Sequence, residues 1–307
     1  MAKISFSQAV TGYQLDANAR HLSPHTLADY QNAYRKFQLF LQGDPPIAEI
    51  RSTHARDFLA AQTVSNKTIL NYHIALSALW TWAVQTDLVA ANILHQVPRP
   101  KPEKRAIVEL QKEQVERILT AVSHSRVFTR PGQRACNVTL GNADRNRAII
   151  LLLLDTGIRV TELCELTINR CDLKTRRIIV FGKGAKEREI PISARTGQVI
   201  WKYLTSRKEA RANDLLFVTR EDLPMTRKNV LDTLSEIGDR AGVEDVHPHR
   251  FRHTFAVNYL RNGGDVFTLQ DILGHSSLDM VQVYLHIART DIDSGHRKAS
   301  PVDNWRL

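Results

Sequence analysis

The chain has 307 residues, 43% of them apolar, with 42 Lys and Arg against 32 Asp and Glu, a formal net charge of +10. That length allows one or two ordinary cores, and the positive excess favours a polyanionic partner, although a basic surface also serves solubility alone. Cys136, Cys164 and Cys171 lack C-x-x-C spacing, the start MAKISFSQAVTGY lacks a signal-peptide core, and the longest apolar run, Ala148 to Leu154, is too short for a bilayer; these features argue against a disulfide framework, a zinc site and a membrane span, and a soluble cytoplasmic protein is expected.

Residues 1–97 read as a helical bundle of four or five helices. Ser23-Pro24 is a helix start, N-cap then first-turn proline. Leu27, Tyr30, Tyr34, Phe37 and Leu41 follow at three-four spacing and predict one apolar face, closed by Gly43-Asp44-Pro45-Pro46. A short helix is expected after Ser52-Thr53, and a longer one from Ser65-Asn66 carrying Ile69, Tyr72, Leu76, Leu79 and Trp80. The aromatic stripe reads as core in preference to a base-stacking surface. Residues 98–106, PRPKPEKRA, form the clearest boundary, since their prolines favour an extended linker. There Arg99, Lys101, Lys104 and Arg105 face one acid, Glu103. They make either a solvated linker or a basic strap along DNA phosphates.

Residues 107–307 make the second domain. Helical signals run from Val108 through Leu119 and Val122, and the apolar stretch Ala148 to Leu154 predicts a buried helix broken at Asp155-Thr156-Gly157. Arg159 emerges just after that glycine, ahead of a helix from Val160 to Leu166 that carries Glu162. The run RIIVFGKGAKEREIPI predicts a β-hairpin with Lys183 between two turn glycines. Lys186 and Arg188 on its return strand are expected to meet phosphate or solvent. Two helices follow, Thr196 to Leu204 and Met225 or Thr226 to Ala241, with a short strand expected at Asp214 to Val218 between them. Arg227 and Lys228 open the later helix as candidate DNA contacts. The segment from His247 to His286 reads as three short helices, the first holding His249, Arg252 and His253, the second ending at Gly274-His275, the third capped by Ser276-Ser277 and carrying Tyr284.

The order H-x-x-R-H, then G-H, then Tyr nine residues after that histidine resembles the second conserved box of the tyrosine recombinases, the phage-integrase family. G-x-R-x-x-E-L around Arg159 resembles its first box, and G-K-G-x-K-x-R-x-x-P its lysine hairpin. The Ser-Pro-His-Thr-Leu pattern with its aromatic repeat resembles, more weakly, the family's N-terminal core-binding domain. The resemblance implies a mainly α fold with a small antiparallel β-sheet: an N-terminal helical core-binding bundle and a C-terminal α+β catalytic domain, closing as a C-shaped clamp on duplex DNA. It implies catalytic roles for Arg159, Lys183, His249, Arg252, His275 and Tyr284; Glu162 matches the family's usual acid and is expected to orient an arginine or histidine from behind, while His253 reads as a hydrogen-bonded structural histidine.

Those residue types suit metal-free cleavage of a phosphodiester. Tyr284 supplies a nucleophile, and Arg159 and Arg252 bind non-bridging oxygens with permanently charged forks. His249 accepts or relays the phenolic proton, His275 donates to a phosphate oxygen, and Lys183 protonates the 5′ leaving group. The expected product is a 3′-phosphotyrosine that rejoins without ATP, metal or other cofactor, and the resemblance implies four subunits that pair two DNA sites and exchange strands. His249 and His253 have i,i+4 spacing, but no H-E-x-x-H accompanies them and neighbouring arginines disfavour a dication. A type IB topoisomerase, which shares the tyrosine chemistry, and an inactive DNA-binding regulator are the rival readings; the full set of six site residues argues against the second.

Overall fold

The structure is a computed structural model describing residues 4–103, 108–123, 141–182, 187–207, 209–274, 279–288, 296 and 300–305. The chain divides into two compact units, Met1–Ala106 and Ile107–Leu307.

The first unit is built from α1 (Phe6–Ala19), α2 (Pro24–Leu41), α3 (Ser52–Ala60) and α4 (Asn66–Gln85). Local chemistry sets their ends. Ser23 and Ser65 each accept a backbone N–H three residues on, Thr26 and Thr68, and Pro24 occupies the first turn of α2 where its missing N–H costs nothing. α1 has no counterpart among the sequence expectations, although Ser5 and Gln8 form a reciprocal capping box at its start. The aromatic stripe is core: Phe6, Phe37, Phe58 and Trp80 are at most 1% exposed, and Phe37 meets Phe6, Phe58 and Trp80 edge-on.

The second unit runs α5 (Lys112–Ala121), α6 (Ala143–Thr156), α7 (Val160–Glu165), β1 (Cys171–Asp172), β2 (Arg177–Phe181), β3 (Glu187–Pro191), α8 (Ala194–Thr205), α9 (Arg227–Ala241), α10 (Pro248–Arg261), α11 (Val266–Leu273), α12 (Asp279–Ala288) and α13 (Pro301–Trp305). α6 is the central helix, with Ala148, Ile149, Ile150, Leu152 and Leu153 essentially unexposed. It stops at Gly157, whose φ of 60° places it in the left-handed region. Packed against α6 is α10, which carries the histidines and Arg252.

The strands form one antiparallel sheet in the order β1-β2-β3. Its register pairs Ile178 with Ile190 and Val180 with Arg188. Cross-strand partners share a face, so Arg188 lies on the side of Ile178 and Ile190, which are buried, and not on the solvent side.

Three sequence expectations are corrected. α5 begins at Lys112, where Gln111 and Gln114 cap each other, and Val108 lies outside the helix at 60% exposure. The stretch Asp214 to Val218 makes only isolated bridges, Leu215 to Thr167 and Val218 to Pro224; Leu216, Phe217 and Val218 are all buried in succession, without the alternation of a strand. The two-residue strand β1 is an addition to the expected hairpin. Its length gives no period to read.

Phe251 is unexposed and joins α10 to the main core. Phe251→Ala is expected to cost about 3–5 kcal/mol of stability, seen as a lowered chemical-denaturation midpoint with little change in slope.

Candidate active site

Arg159 is the N-cap of α7. Its backbone N–H donates to Glu162 Oε2 at 2.8 Å, and its Nη1 donates to Glu162 Oε1 at 3.0 Å. Its Nη2 donates to the carbonyl of Gly274 at 3.1 Å. A third of the Arg159 side chain, 33%, stays exposed, so the guanidinium is fixed at one edge and open at another.

Glu162 lies behind it with 2% of its side chain exposed. Arg188 reaches across from β3 and grips both carboxylate oxygens, at 2.9 and 2.8 Å. Burial opposes ionisation of Glu162, but the bonds from Arg188 and Arg159 outweigh it and hold the carboxyl below its usual range. The expectation for Arg188 as a phosphate or solvent contact therefore gives way. Its Nε also donates to the carbonyl of Ile272 at 2.8 Å, and only 13% of the side chain is exposed.

Arg252, at 5% exposure, donates from Nη1 to Gly157 O at 2.6 Å and from Nη2 to Leu273 O at 2.8 Å. Burial, then the neighbouring charge of Arg159, lowers its pKa to about 10, still charged at neutral pH. Three arginines from three elements thus take three successive carbonyls, Ile272, Leu273 and Gly274, at the C-terminus of α11. Helix ends leave such carbonyls without intrahelical partners, and the helix dipole makes them attractive to cations. Gly274 has φ of 61°, where other residues are strained, and a Cβ there would press on the Arg188 guanidinium, 3.1 Å from Nη1.

Tyr284 projects from α12 onto α10 and is 4% exposed, within a small cluster that includes Ala256, Val257 and Leu260. Its hydroxyl lies 2.9 Å from His253 Nδ1. Burial raises the phenol pKa, and Arg252 opposes that rise. Burial, then His249, His247 and Arg252, pushes His253 down to about 4, so its ring is neutral at physiological pH. With the proton assigned to Nε2, Nδ1 accepts from the phenol. His249 keeps an exposed face; the atoms packed around it, then His247, Arg252 and Arg159, lower its pKa as well.

The structure thus gathers Arg159, Glu162, Arg188 and Arg252 around the C-terminal ends of α6 and α11, with the His253–Tyr284 pair between α10 and α12 and His249 on the same helix as Arg252. Lys183, Lys186 and His275 lie outside the described residues, as do Ser276 and Ser277 and, in the linker, Lys104 and Arg105. Arg99, Lys101, Arg227 and Lys228 are exposed. Arg227 and Lys228 stand in the first turn of α9, where the helix dipole disfavours cations. Among the described residues no three His, Cys, Asp or Glu are grouped to hold a metal ion, and no helix is long and apolar enough to cross a membrane.

This chain matches the phage integrase family over residues 108–290 and the phage integrase N-terminal SAM-like domain over residues 15–87. It is similar to tyrosine recombinase XerC of Bacillus pumilus, 30% identical over 92% of each chain. It is also similar to tyrosine recombinase XerD of Shewanella oneidensis, 28% identical over 92% of this chain and 93% of that one. Among solved structures it resembles the XerA recombinase, with 27% identity and a TM-score of 0.51 over 95% of this chain and 98% of that one. The XerH site-specific recombinase bound to palindromic difH substrate gives a TM-score of 0.71 at 22% identity, over 95% of this chain and 84% of that one; at that identity it speaks for the fold.

Proposed function

Since the chain belongs to the phage integrase family, as a site-specific tyrosine recombinase of the Xer type, we propose that it cuts and rejoins duplex DNA through a 3′-phosphotyrosine on Tyr284, without metal or ATP. The observation that carries this reading is the pairing of a buried tyrosine hydroxyl, bonded to a neutral imidazole at 2.9 Å, with two arginines held on adjacent carbonyls of one helix end.

In the proposed step the phenolic oxygen of Tyr284 attacks phosphorus and loses its proton to a histidine. Arg159 and Arg252 neutralise the charge that grows on the non-bridging oxygens, where a pre-set donor lowers the barrier most. His275 adds a hydrogen bond there. The bond to the 5′ oxygen breaks, and Lys183 supplies that oxygen with a proton. The 3′-phosphotyrosine conserves the ester bond, so a 5′ hydroxyl of another strand reverses the step. Lys183 and His275 enter this scheme on their motifs.

Residues 1–97 serve as the core-binding domain, 98–106 as a basic linker and 107–307 as the catalytic domain, with four subunits holding two sites. In the first unit a cleft of about 940 Å³ is lined by apolar and polar side chains, Leu22, Ile74 and Trp82 among them, with Arg20 and Arg99 as its two permanent cations; those two arginines suit contacts to a DNA backbone. Arg99 and Lys101, with Lys104 and Arg105, extend the basic run, and Arg227 and Lys228 contribute from the second unit. Binding is therefore expected to fall steeply with salt, log affinity declining linearly against log salt as neutralised phosphates shed counterions. Fluorescence anisotropy on a labelled duplex across a salt series checks this, and a flat response would remove phosphate contacts from the proposal.

Recombination of a plasmid carrying two sites, assayed beside relaxation of a supercoiled plasmid without sites, tests the whole reading. Strand exchange supports the recombinase. Relaxation alone would assign a topoisomerase.

A further inference from the structure

We infer that Arg188 is a positioning residue: by sharing Glu162 with Arg159, it keeps the Arg159 guanidinium in place yet available to a phosphate. This inference deepens the proposed reaction and rests on Arg159 being a phosphate-binding group in it.

The argument is one of charge balance in a buried place. Glu162 is the acid that faces both guanidiniums, and it is almost wholly withdrawn from water. Arg188 takes both of its oxygens in a fork, while Arg159 takes one side-chain contact and keeps a third of its surface open. The better geometry thus belongs to the arginine that is not presented to a ligand. With Arg188 in place, one negative charge is divided between two cations. Remove Arg188 and the same carboxylate, now short of a counter-charge in a low-dielectric pocket, must draw on Arg159 alone. Arg159 would then be neutralised where it should meet phosphate.

A second geometric link points the same way. Arg188 Nε holds Ile272 O, next to the carbonyls that hold Arg252 and Arg159. Arg188 therefore ties β3 to the helix end that sets both phosphate-binding arginines.

The test uses Arg188→Met, Glu162→Gln and the double variant in the full chain. Single-turnover formation of the covalent adduct is followed on a nicked duplex whose sequence comes from mapping the wild-type adduct on DNA flanking the gene. Arg188→Met should slow adduct formation by about tenfold, the scale of coupling between charged residues in contact, with DNA affinity unchanged. Adding Glu162→Gln should recover most of that rate, because it removes the unbalanced charge. Arg188→Lys should fall between, since lysine lacks the fork. A residue that only supports the fold would give a double variant no faster than Arg188→Met, and that result overturns the inference. A DNA-free arm separates its failure from failure of the recombinase reading. Modification of Arg159 by phenylglyoxal, read by mass spectrometry, should slow in Arg188→Met and recover in the double variant. If Arg159 reacts equally in all three chains, the inference falls even where adducts form. If the wild type forms no adduct on any duplex, the recombinase reading falls and the modification rates alone decide whether Arg188 governs Arg159.

Discussion

Tyr284→Phe is expected to bind DNA as the wild type does and to form no covalent adduct. The substitution removes one oxygen and leaves the ring, which packs with Ala256, Val257, Leu260 and Val281, so the contact between α10 and α12 survives. Loss of the hydroxyl strands His253 Nδ1, its partner at 2.9 Å. That costs about 1–3 kcal/mol, the penalty for an acceptor left unpaired, and leaves the protein folded. The expected DNA contacts, Arg99, Lys101, Arg227 and Lys228, are untouched, which is why affinity and its salt dependence should not move. The chemistry cannot survive, because a bare phenyl ring offers phosphorus no nucleophile. Denaturing gel electrophoresis of a labelled nicked duplex is the direct readout. An adduct band persisting in Tyr284→Phe would show another residue to be the nucleophile, and the assignment would fail together with the significance attached to the His253 contact.

How far the site is legible in the chain depends on the kind of signal each residue carries. Arg159, Arg252 and Tyr284 stand in motifs whose spacing is fixed by helix ends: Gly157 and Gly274 each turn the chain through a left-handed residue, and such glycines are visible in sequence. Glu162 sits one turn along from Arg159, so i,i+3 geometry lets the two side chains meet, while its orienting role is what the family resemblance implies. Arg188 reads as facing phosphate or solvent when its charge alone is weighed. Strand alternation carries the opposite signal: Ile190, two residues on, is apolar and must face the core, so Arg188 shares its face. The sequence pattern holds that information, but nothing in it names the partner, because Glu162 is 26 residues away. His253 illustrates the other limit. Its hydrogen bond to Tyr284 joins residues 31 apart on two helices, and only the packing of α12 on α10 creates it. The same holds for the three successive carbonyls of α11. Backbone acceptors have no residue identity, so no motif announces them.

Arg159→Ala is expected to slow cleavage by about a hundredfold to a thousandfold, the cost of losing one pre-set donor to a developing oxyanion, while weakening DNA binding little. The structure explains why this arginine, and not Arg252, gives the cleaner experiment. Arg252 is 5% exposed and holds two backbone carbonyls, Gly157 and Leu273, from different turns of the fold. Its removal would leave buried acceptors unsatisfied, at about 1–3 kcal/mol each, so lost activity would be mixed with lost structure. Arg159 is more exposed, and when it is deleted Glu162 keeps its bidentate partner in Arg188. The carboxylate stays compensated and the fold should hold, as a melting curve would verify. Arg159→Lys should recover part of the rate at most, since an ammonium cannot reach Glu162, Gly274 O and a phosphate with the planar fork that guanidinium provides. Comparing the adduct rate at saturating DNA with the binding constant separates the two contributions: a transition-state contact lowers the rate and spares affinity. Equal losses in both would make Arg159 an ordinary phosphate anchor and would take away the charge-stabilising half of the proposed reaction.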